Sequence, residues 1–123
     1  MTRRRPLTCA VIVAALLAAG CGGGIDTSTT AGDPAAGQRA FDRSCASCHG
    51  QDARGTSSGP PLVDRIYEPS HHGDASFQLA VRRGTPEHHW NFGDMAPVAG
   101  VTDQEILDIV AFVRARQQAA GIR

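Results

Sequence analysis

The clearest periodic pattern of apolar residues lies near the end of the chain. Apolar side chains recur at i, i+3, i+4 and i+7, at Ile106, Ile109, Val110 and Val113. This spacing places them on one face of a helix. The preceding T-D-Q-E at 102–105 has threonine three residues before glutamate, as in a capping box. The pattern predicts a helix over 103–119 with an apolar stripe that packs against another element.

Two further helices are predicted upstream. Asp33-Pro34 has the composition of an N-cap followed by proline at the first helical position, and the helix should run through Phe41 to about Ala46. A shorter helix should begin at Asp74 and end at Gly84. Together with the closing helix, these segments predict an all-α domain.

Long loops separate the predicted helices. Residues 50–73 and 84–101 are dense in Gly, Pro, Ser and His and have no helical period. Loops of this length are uncommon in a compact domain unless they serve a function. We therefore expect a bound group that organises them.

The amino-terminal segment reads as a targeting signal. Arginines at 3–5 precede an apolar run at 7–19 that is shorter than the roughly 20 residues needed to span a bilayer. The run ends in L-A-A-G-C, which resembles a lipoprotein cleavage box with Cys21 as the lipidated residue. The alternative is an ordinary secretory signal with an incidental Cys21.

These features predict the organisation of the chain and its location. Residues 1–20 should be a signal peptide, 21–32 a lipidated cysteine with a flexible Gly/Ser/Thr-rich linker, and 33–123 the folded domain. The protein should be exported and lipid-anchored, on the outer side of the cytoplasmic membrane or in the periplasm or outer membrane.

Charge limits the classes of partner. Without its first 20 residues the chain has nine arginines, no lysine and twelve carboxylates. A nucleic-acid surface would show as a basic excess, so no nucleic-acid partner is expected.

The strongest chemical motif is C-A-S-C-H at 45–49. C-x-x-C-H is the attachment signature of c-type haem: two thiols bond the porphyrin, and the histidine offers its imidazole to the iron. A redox-active cysteine pair should instead follow a strand in a βαβ pattern, which is absent from the sequence. A zinc site needs four ligands, and no second C-x-x-C completes one. One covalent haem c, attached through Cys45 and Cys48 with His49 as axial ligand, is therefore predicted.

Residues 33–117 resemble class I c-type cytochromes, which are small monohaem electron carriers. The resemblance implies an all-α cytochrome c fold of three or four helices, with long loops wrapped around one covalent haem. It also implies that Gly37 and Phe41 pack against the closing helix, where Phe112 supplies an aromatic partner.

The resemblance further implies the rest of the iron site. In G-P-P-L at 59–62, the Pro60 carbonyl should accept the Nδ1 hydrogen of His49. Met95, from the loop before the last helix, should be the sixth ligand of the iron. The family often has proline directly after this methionine, whereas Ala96 intervenes here. The alternative is that Met95 is an ordinary core residue.

Two histidine pairs, His71-His72 and His88-His89, exceed what a minimal cytochrome needs. They could cap loops, pack at the haem edge, or hydrogen-bond a haem propionate beside Trp90. They could instead form a second metal site, for instance for copper, supply the sixth iron ligand, or dock a partner. Adjacent residues of an extended segment point to opposite sides, so one pair alone rarely chelates a metal.

The function expected from the whole pattern is single-electron transfer by a monomeric protein with transient redox partners. Ligation by His49 and Met95 leaves no open position on the iron, so we expect a carrier rather than an enzyme. The alternatives are a haem enzyme with an open sixth site and a histidine-based module that handles or senses copper.

Overall fold

The computed structural model describes residues 32–123, and this part of the chain is helical without strands. Its helices are α1 (Pro34–Ser44), α2 (Ala46–His49), α3 (Asp74–Arg83) and α4 (Asp103–Ala119), with a short 3-10 helix at Arg65–Tyr67. The predicted all-α fold is confirmed. The predicted signal peptide, Cys21 and all but the last residue of the predicted linker lie outside the described residues. Within 32–123, no helix is both long enough and apolar enough to cross a membrane.

The first helix is shorter than predicted. Asp33 caps it, because the carboxylate accepts the Ala35 N–H at 2.8 Å, and Pro34 occupies the first turn as expected. The helix does not continue to Ala46 but ends at Ser44, where Cys45 leaves helical geometry at φ −127°. The one-turn helix α2 then starts at once. Cys45 is thus the N-cap of the turn that carries Cys48 and His49.

The close packing of α1 on α4 forms the centre of the fold. A Cβ atom added at Gly37 would lie 1.9 Å from the Asp108 carbonyl oxygen, so only glycine permits this helix crossing. The Phe41 and Phe112 rings pack with centroids 5.2 Å apart, and Phe41 is fully buried. The contacts implied by the resemblance for Gly37, Phe41 and Phe112 are present.

Helix α4 has the predicted bounds and the predicted capping box. Thr102 accepts the Glu105 N–H through its hydroxyl, while the Glu105 carboxylate accepts the Thr102 N–H at 2.9 Å. The apolar stripe is buried as expected, with Ile109 and Val113 in the core cluster. Helix α3 also begins at Asp74 as predicted, and Gly84 ends it.

The loop at 50–73 is held in place by buried polar side chains of α4. The Gln117 amide is almost completely buried and donates to the carbonyls of Leu62 at 2.8 Å and Tyr67 at 3.0 Å. Arg114 also donates to Tyr67 O, at 2.7 Å, and to the carbonyl of His72. The loop is thereby fixed to the same helix that packs against α1.

Candidate functional site

One cleft collects most of the residues singled out from the sequence. Cys45, His49, Pro60, Trp90 and Met95 all line it, and so do His72, His88 and His89. The walls are mainly apolar and come from α1, α3, α4 and the loops between them, with Phe41, Leu62, Phe77, Val81, Ile109 and Val113 among them. Cys48 and His71 do not line the cleft, and both are exposed. Residues far apart in sequence therefore meet at one apolar opening.

Cys45 and Cys48 present two unpaired thiols. The amides of Cys48 and His49 both donate to the Cys45 carbonyl, at 3.1 and 3.0 Å, so the motif closes one tight turn. Burial raises the pKa of the Cys45 thiol to about 11, with a further contribution from the neighbouring Cys48. The thiol of Cys45 is therefore held in its protonated form at neutral pH.

His49 is buried and oriented by the loop that follows the motif. Its Nδ1 lies 2.9 Å from the Pro60 carbonyl oxygen, to which the ring N–H donates. This bond leaves the lone pair of Nε2 available as a metal ligand. Burial lowers the pKa of His49, although the Pro60 hydrogen bond opposes the shift. The imidazole is therefore neutral, which is the form that binds a metal.

Gly59 permits this loop to approach the motif. A Cβ atom there would lie 2.9 Å from the Cys48 carbonyl oxygen and 3.0 Å from the Cys48 Cβ. The Thr56 hydroxyl also donates to the Cys48 carbonyl, at 2.6 Å. The G-P-P-L segment thus lies directly against the turn that carries both cysteines and His49.

Met95 enters the cleft from a loop that is closed by backbone pairing. Its amide and carbonyl exchange hydrogen bonds of 2.9 Å with Thr85. At Gly84, φ is +74° and a Cβ atom would lie 2.3 Å from the Met95 carbonyl oxygen, so this close approach requires glycine. Met95 itself is half-buried.

Two carboxylates, which sequence reasoning missed, clamp the same loop. Asp94 Oδ1 accepts the Glu87 N–H at 2.9 Å, and Glu87 Oε2 accepts the Gly93 N–H at 2.5 Å. These two bonds join the ends of the segment that presents His88, His89 and Trp90. Their only sequence signal was the placement of acidic residues on either side of that segment.

The Trp90 indole N–H is buried and has no hydrogen-bond partner in the described part of the chain. Burial also raises the pKa of the Tyr67 phenol, which lines the same cleft. A buried donor without an acceptor is costly, by about 1–3 kcal/mol. An acceptor bound in the cleft would therefore be stabilised by the indole N–H.

The fold brings the two histidine pairs together. Ring centroids are 4.6 Å apart for His71–His72, 4.4 Å for His88–His89 and 5.0 Å for His72–His89. The sequence argument that adjacent histidines diverge assumed extended backbone, whereas His71 lies in a turn and both amides of its pair donate to Glu68 O. Turn geometry lets the two rings of one pair approach each other.

The sequence did not predict that Arg114 and Gln117 hold the loop that borders the site. In the sequence, Arg114 near the carboxyl end of α4 has the position of a surface cation that complements the helix dipole. Its side chain is instead 12% exposed and contacts Asp74, Phe77 and the 66–72 loop. A usable signal existed, since residues 114 and 117 continue the buried face of residues 110 and 113 at helical spacing.

These features fit a covalently attached haem. The two free thiols are available for thioethers, and the neutral His49 offers Nε2 to iron. The apolar cleft suits the porphyrin, and the orphaned Trp90 N–H suits a propionate oxygen. Cys45 and Cys48, in C-x-x-C-H spacing, fit one haem.

Comparison with known proteins agrees with this chemistry. The cytochrome c family model matches residues 34–117. A 38-residue stretch is 56% identical to cytochrome c-554(547) of Halothiobacillus neapolitanus, covering 31% of this chain and 42% of that protein. The match therefore spans less than half of the relative. No solved structure matched the chain. Members of the matched family bind haem c covalently and are generally exported. The chain belongs to the cytochrome c family.

Proposed function

We propose that the protein is a single-electron carrier whose haem iron is held by His49 and Met95. The observation that carries the proposal is that these two ligand types, from segments 46 residues apart, line one apolar cleft. Together the two side chains would leave the iron no open position, and His/Met ligation raises the reduction potential relative to harder ligand pairs. Bound haem supplies the one-electron couple, and the chain controls its ligands and its exposure.

The chain holds each ligand in place through its backbone. Pro60 fixes the His49 ring through the Nδ1 hydrogen bond at 2.9 Å. The pairing with Thr85 fixes the Met95 backbone through two bonds of 2.9 Å. Ligands held in this way need little rearrangement between oxidation states. That behaviour suits a carrier better than a catalyst, which needs a vacant position for its substrate.

The exposed Cys48 indicates where a partner would dock. Since Cys48 is at the surface and Cys45 is half-buried, the attached edge of the haem should reach the surface beside Cys48. A transient redox partner would meet this edge through a small interface, below about 1,200 Å² in total. The chain has no lysine, so docking cannot depend on lysine side chains.

The test is the optical spectrum of the haem-loaded protein, oxidised and reduced. The oxidised form should show the weak far-red band of sulfur bound to iron, and Met95→Leu should abolish it while the covalent haem stays. Ala96→Ser, at the exposed neighbouring residue, should keep the band. An oxidised wild-type spectrum without the band, or rapid carbon monoxide binding by the reduced protein, would refute His/Met ligation and favour a histidine ligand or an open iron.

We also propose that Cys21 is lipidated and anchors the domain to a membrane. The support is the L-A-A-G-C sequence after an apolar run, followed by a Gly/Ser/Thr-rich stretch. The mass of the protein from an exporting host should show acyl groups on Cys21, and Cys21→Ser should release the domain into the soluble fraction. Membrane retention of the Ser variant would contradict the anchor.

A further inference from the structure

The four clustered histidines are not needed for the proposed iron site. Ring nitrogens of His71, His72 and His89 lie within 4.8 Å of one another. His88 joins the group through His72, with their Nε2 atoms 3.4 Å apart. The four rings come from two segments and converge at the edge of the cleft.

The backbone fixes the tautomers of three of these rings. The Nδ1 atoms of His71 and His72 both lie within hydrogen-bonding distance of the Ile66 carbonyl, at 2.9 and 2.7 Å. His88 Nδ1 lies 2.8 Å from the Pro86 carbonyl. A carbonyl can only accept, so each Nδ1 must carry the hydrogen, and each neutral ring then has a lone pair at Nε2. Metal-binding histidines are oriented in this way.

The contact between His72 and His88 follows from these tautomers. Two Nε2 lone pairs face each other at 3.4 Å, and they cannot hydrogen-bond unless one ring takes up a second proton. Nitrogen ligands at 2.0–2.1 Å from a tetrahedral zinc ion are about 3.3–3.4 Å apart. The pair therefore already has the spacing of two ligands on one ion, whereas His71 and His89 must move closer.

A haem propionate explains the cluster less well. A neutral ring whose Nδ1–H is already donated presents a lone pair at Nε2, and this lone pair repels a carboxylate oxygen. Within residues 32–123, no hydrogen bond or salt bridge joins any of the four rings to a carboxylate. These lone pairs can bind a cation without further protonation of the rings.

The two segments are also fixed before any ligand binds. Arg114 donates to the His72 carbonyl, and Glu68 O accepts the amides of His71 and His72 at 3.0 and 2.8 Å. On the other side, the Glu87 amide donates to Asp94 Oδ1 and the Glu87 carboxylate accepts the Gly93 N–H, which holds the loop that carries His88 and His89. Side chains on an ordered backbone lose less conformational entropy when they coordinate a metal.

We propose that His71, His72, His88 and His89 bind one divalent transition-metal ion at the edge of the haem cleft. Imidazole nitrogens suit Zn²⁺ and Cu²⁺, and Cu²⁺ should bind more tightly by the Irving–Williams order. The site is separate from the iron, whose proposed ligands are His49 and Met95.

The experiment is a calorimetric titration of the haem-loaded protein with Zn²⁺, then with Cu²⁺ followed by electron paramagnetic resonance. Wild type should bind one ion, and bound Cu²⁺ should show splitting from several nitrogens. The double variant His71→Ala/His89→Ala should bind at least about tenfold more weakly, since even outer-shell partners of a metal site are worth about 10–100-fold in affinity. Asn91→Ala, at an exposed position of the same loop, should bind like wild type.

Several outcomes would overturn the proposal. One is the absence of stoichiometric binding of either ion to wild type. Another is affinity in the double variant equal to that of Asn91→Ala, which would place the metal elsewhere. The haem spectrum of the double variant serves as the folding check. If the variant's spectrum shows a changed axial ligand, a histidine belongs to the iron, and the separate metal site is refuted. An unchanged spectrum with lost metal binding supports it.

Discussion

Two regions border the cleft, and they are built in different ways. The attachment frame comprises the packed pair α1 and α4 together with residues 45–62, and close backbone contacts hold it together. Gly55 N donates to His49 O at 2.7 Å, and the amides of Leu62 and Val63 both donate to Ala53 O. The histidine edge comprises residues 66–72 and 85–95. Backbone bonds close these two loops at Thr85–Met95 and at Glu68, but the side chains of Arg114, Glu87 and Asp94 hold the segments that carry the histidines.

The two regions should therefore respond differently to substitution. The frame relies on close approach of backbones, so a single added methyl group can open it. The edge relies on a few polar side chains, so removing one of them should loosen the loop and leave the frame intact. Changes in the frame should therefore affect haem retention and overall stability together, whereas changes in the edge should affect the histidine cluster first.

The largest effect is expected where the frame has no spare space. In Gly37→Ala the new Cβ would lie 1.9 Å from the Asp108 carbonyl oxygen, so α1 and α4 must separate. Alanine favours a helix over glycine by about 1 kcal/mol, but overpacking of this severity costs about 3 kcal/mol and should dominate. Denaturant unfolding of the haem-loaded protein should show this loss, together with a lower yield of attached haem. The exposed Gln38→Ala is the control and should stay within about 0.5 kcal/mol of wild type. Equal stability of the two variants would contradict the tight crossing.

A smaller but more selective effect is expected at the edge. Arg114→Met removes the donors to the carbonyls of Tyr67 and His72. The Tyr67 carbonyl keeps the Gln117 amide, whereas the part-buried His72 carbonyl loses its donor, and a buried acceptor left unpaired costs about 1–3 kcal/mol. We expect unfolding to become easier by about 2 kcal/mol, and metal affinity at the histidine cluster to fall, while haem stays attached. Thermal unfolding and the zinc titration measure the two effects.

The matched control lies on the same helix. Arg116 pairs with Asp52 at the surface, and its side chain is 38% exposed. Exposed ion pairs are typically worth less than about 1 kcal/mol, so Arg116→Met should change stability little and metal affinity not at all. Equal losses in the two arginine variants would show that the edge does not depend on Arg114.

The contrast also explains what the sequence could predict. The frame could be predicted because its sequence signals are local: a cysteine pair with its histidine, a capping box and an apolar stripe in α4. The end of α1 at Ser44 was missed because nothing in residues 44–46 marks the turn at Cys45. Of the edge, the sequence showed only two histidine pairs without an assigned role. Their meeting depends on contacts across 16 residues or more, as between His72 and His88, and on buried donors such as Arg114 that have ordinary surface composition.

The start of α4 should affect the frame without affecting the edge. Thr102→Ala removes the hydroxyl that accepts the Glu105 N–H, and loss of such a cap costs about 1 kcal/mol. Denaturant unfolding should show this loss at unchanged zinc affinity, because the histidine loops do not contact Thr102 through a hydrogen bond. Thr102→Ser keeps the hydroxyl and should behave like wild type. A zinc affinity that falls in parallel with stability would show that the two regions are coupled more closely than their contacts indicate.

The smallest effect is a pH dependence from the other half of the same cap. Hydrogen bonds from Thr102 lower the pKa of Glu105 below its ordinary value of 4.5, with a lesser contribution from Arg43. Because the folded-state pKa is below the unfolded one, this carboxylate stabilises the fold above pH 4.5, and the contribution is lost as pH falls through the folded value. Glutamine at this position can still serve in a capping box but does not titrate. Unfolding measured on both sides of pH 4.5 should therefore give a shallower acid loss for Glu105→Gln than for wild type, with zinc binding at neutral pH unchanged in both. Parallel pH profiles would show that the charge of Glu105 contributes nothing at this cap.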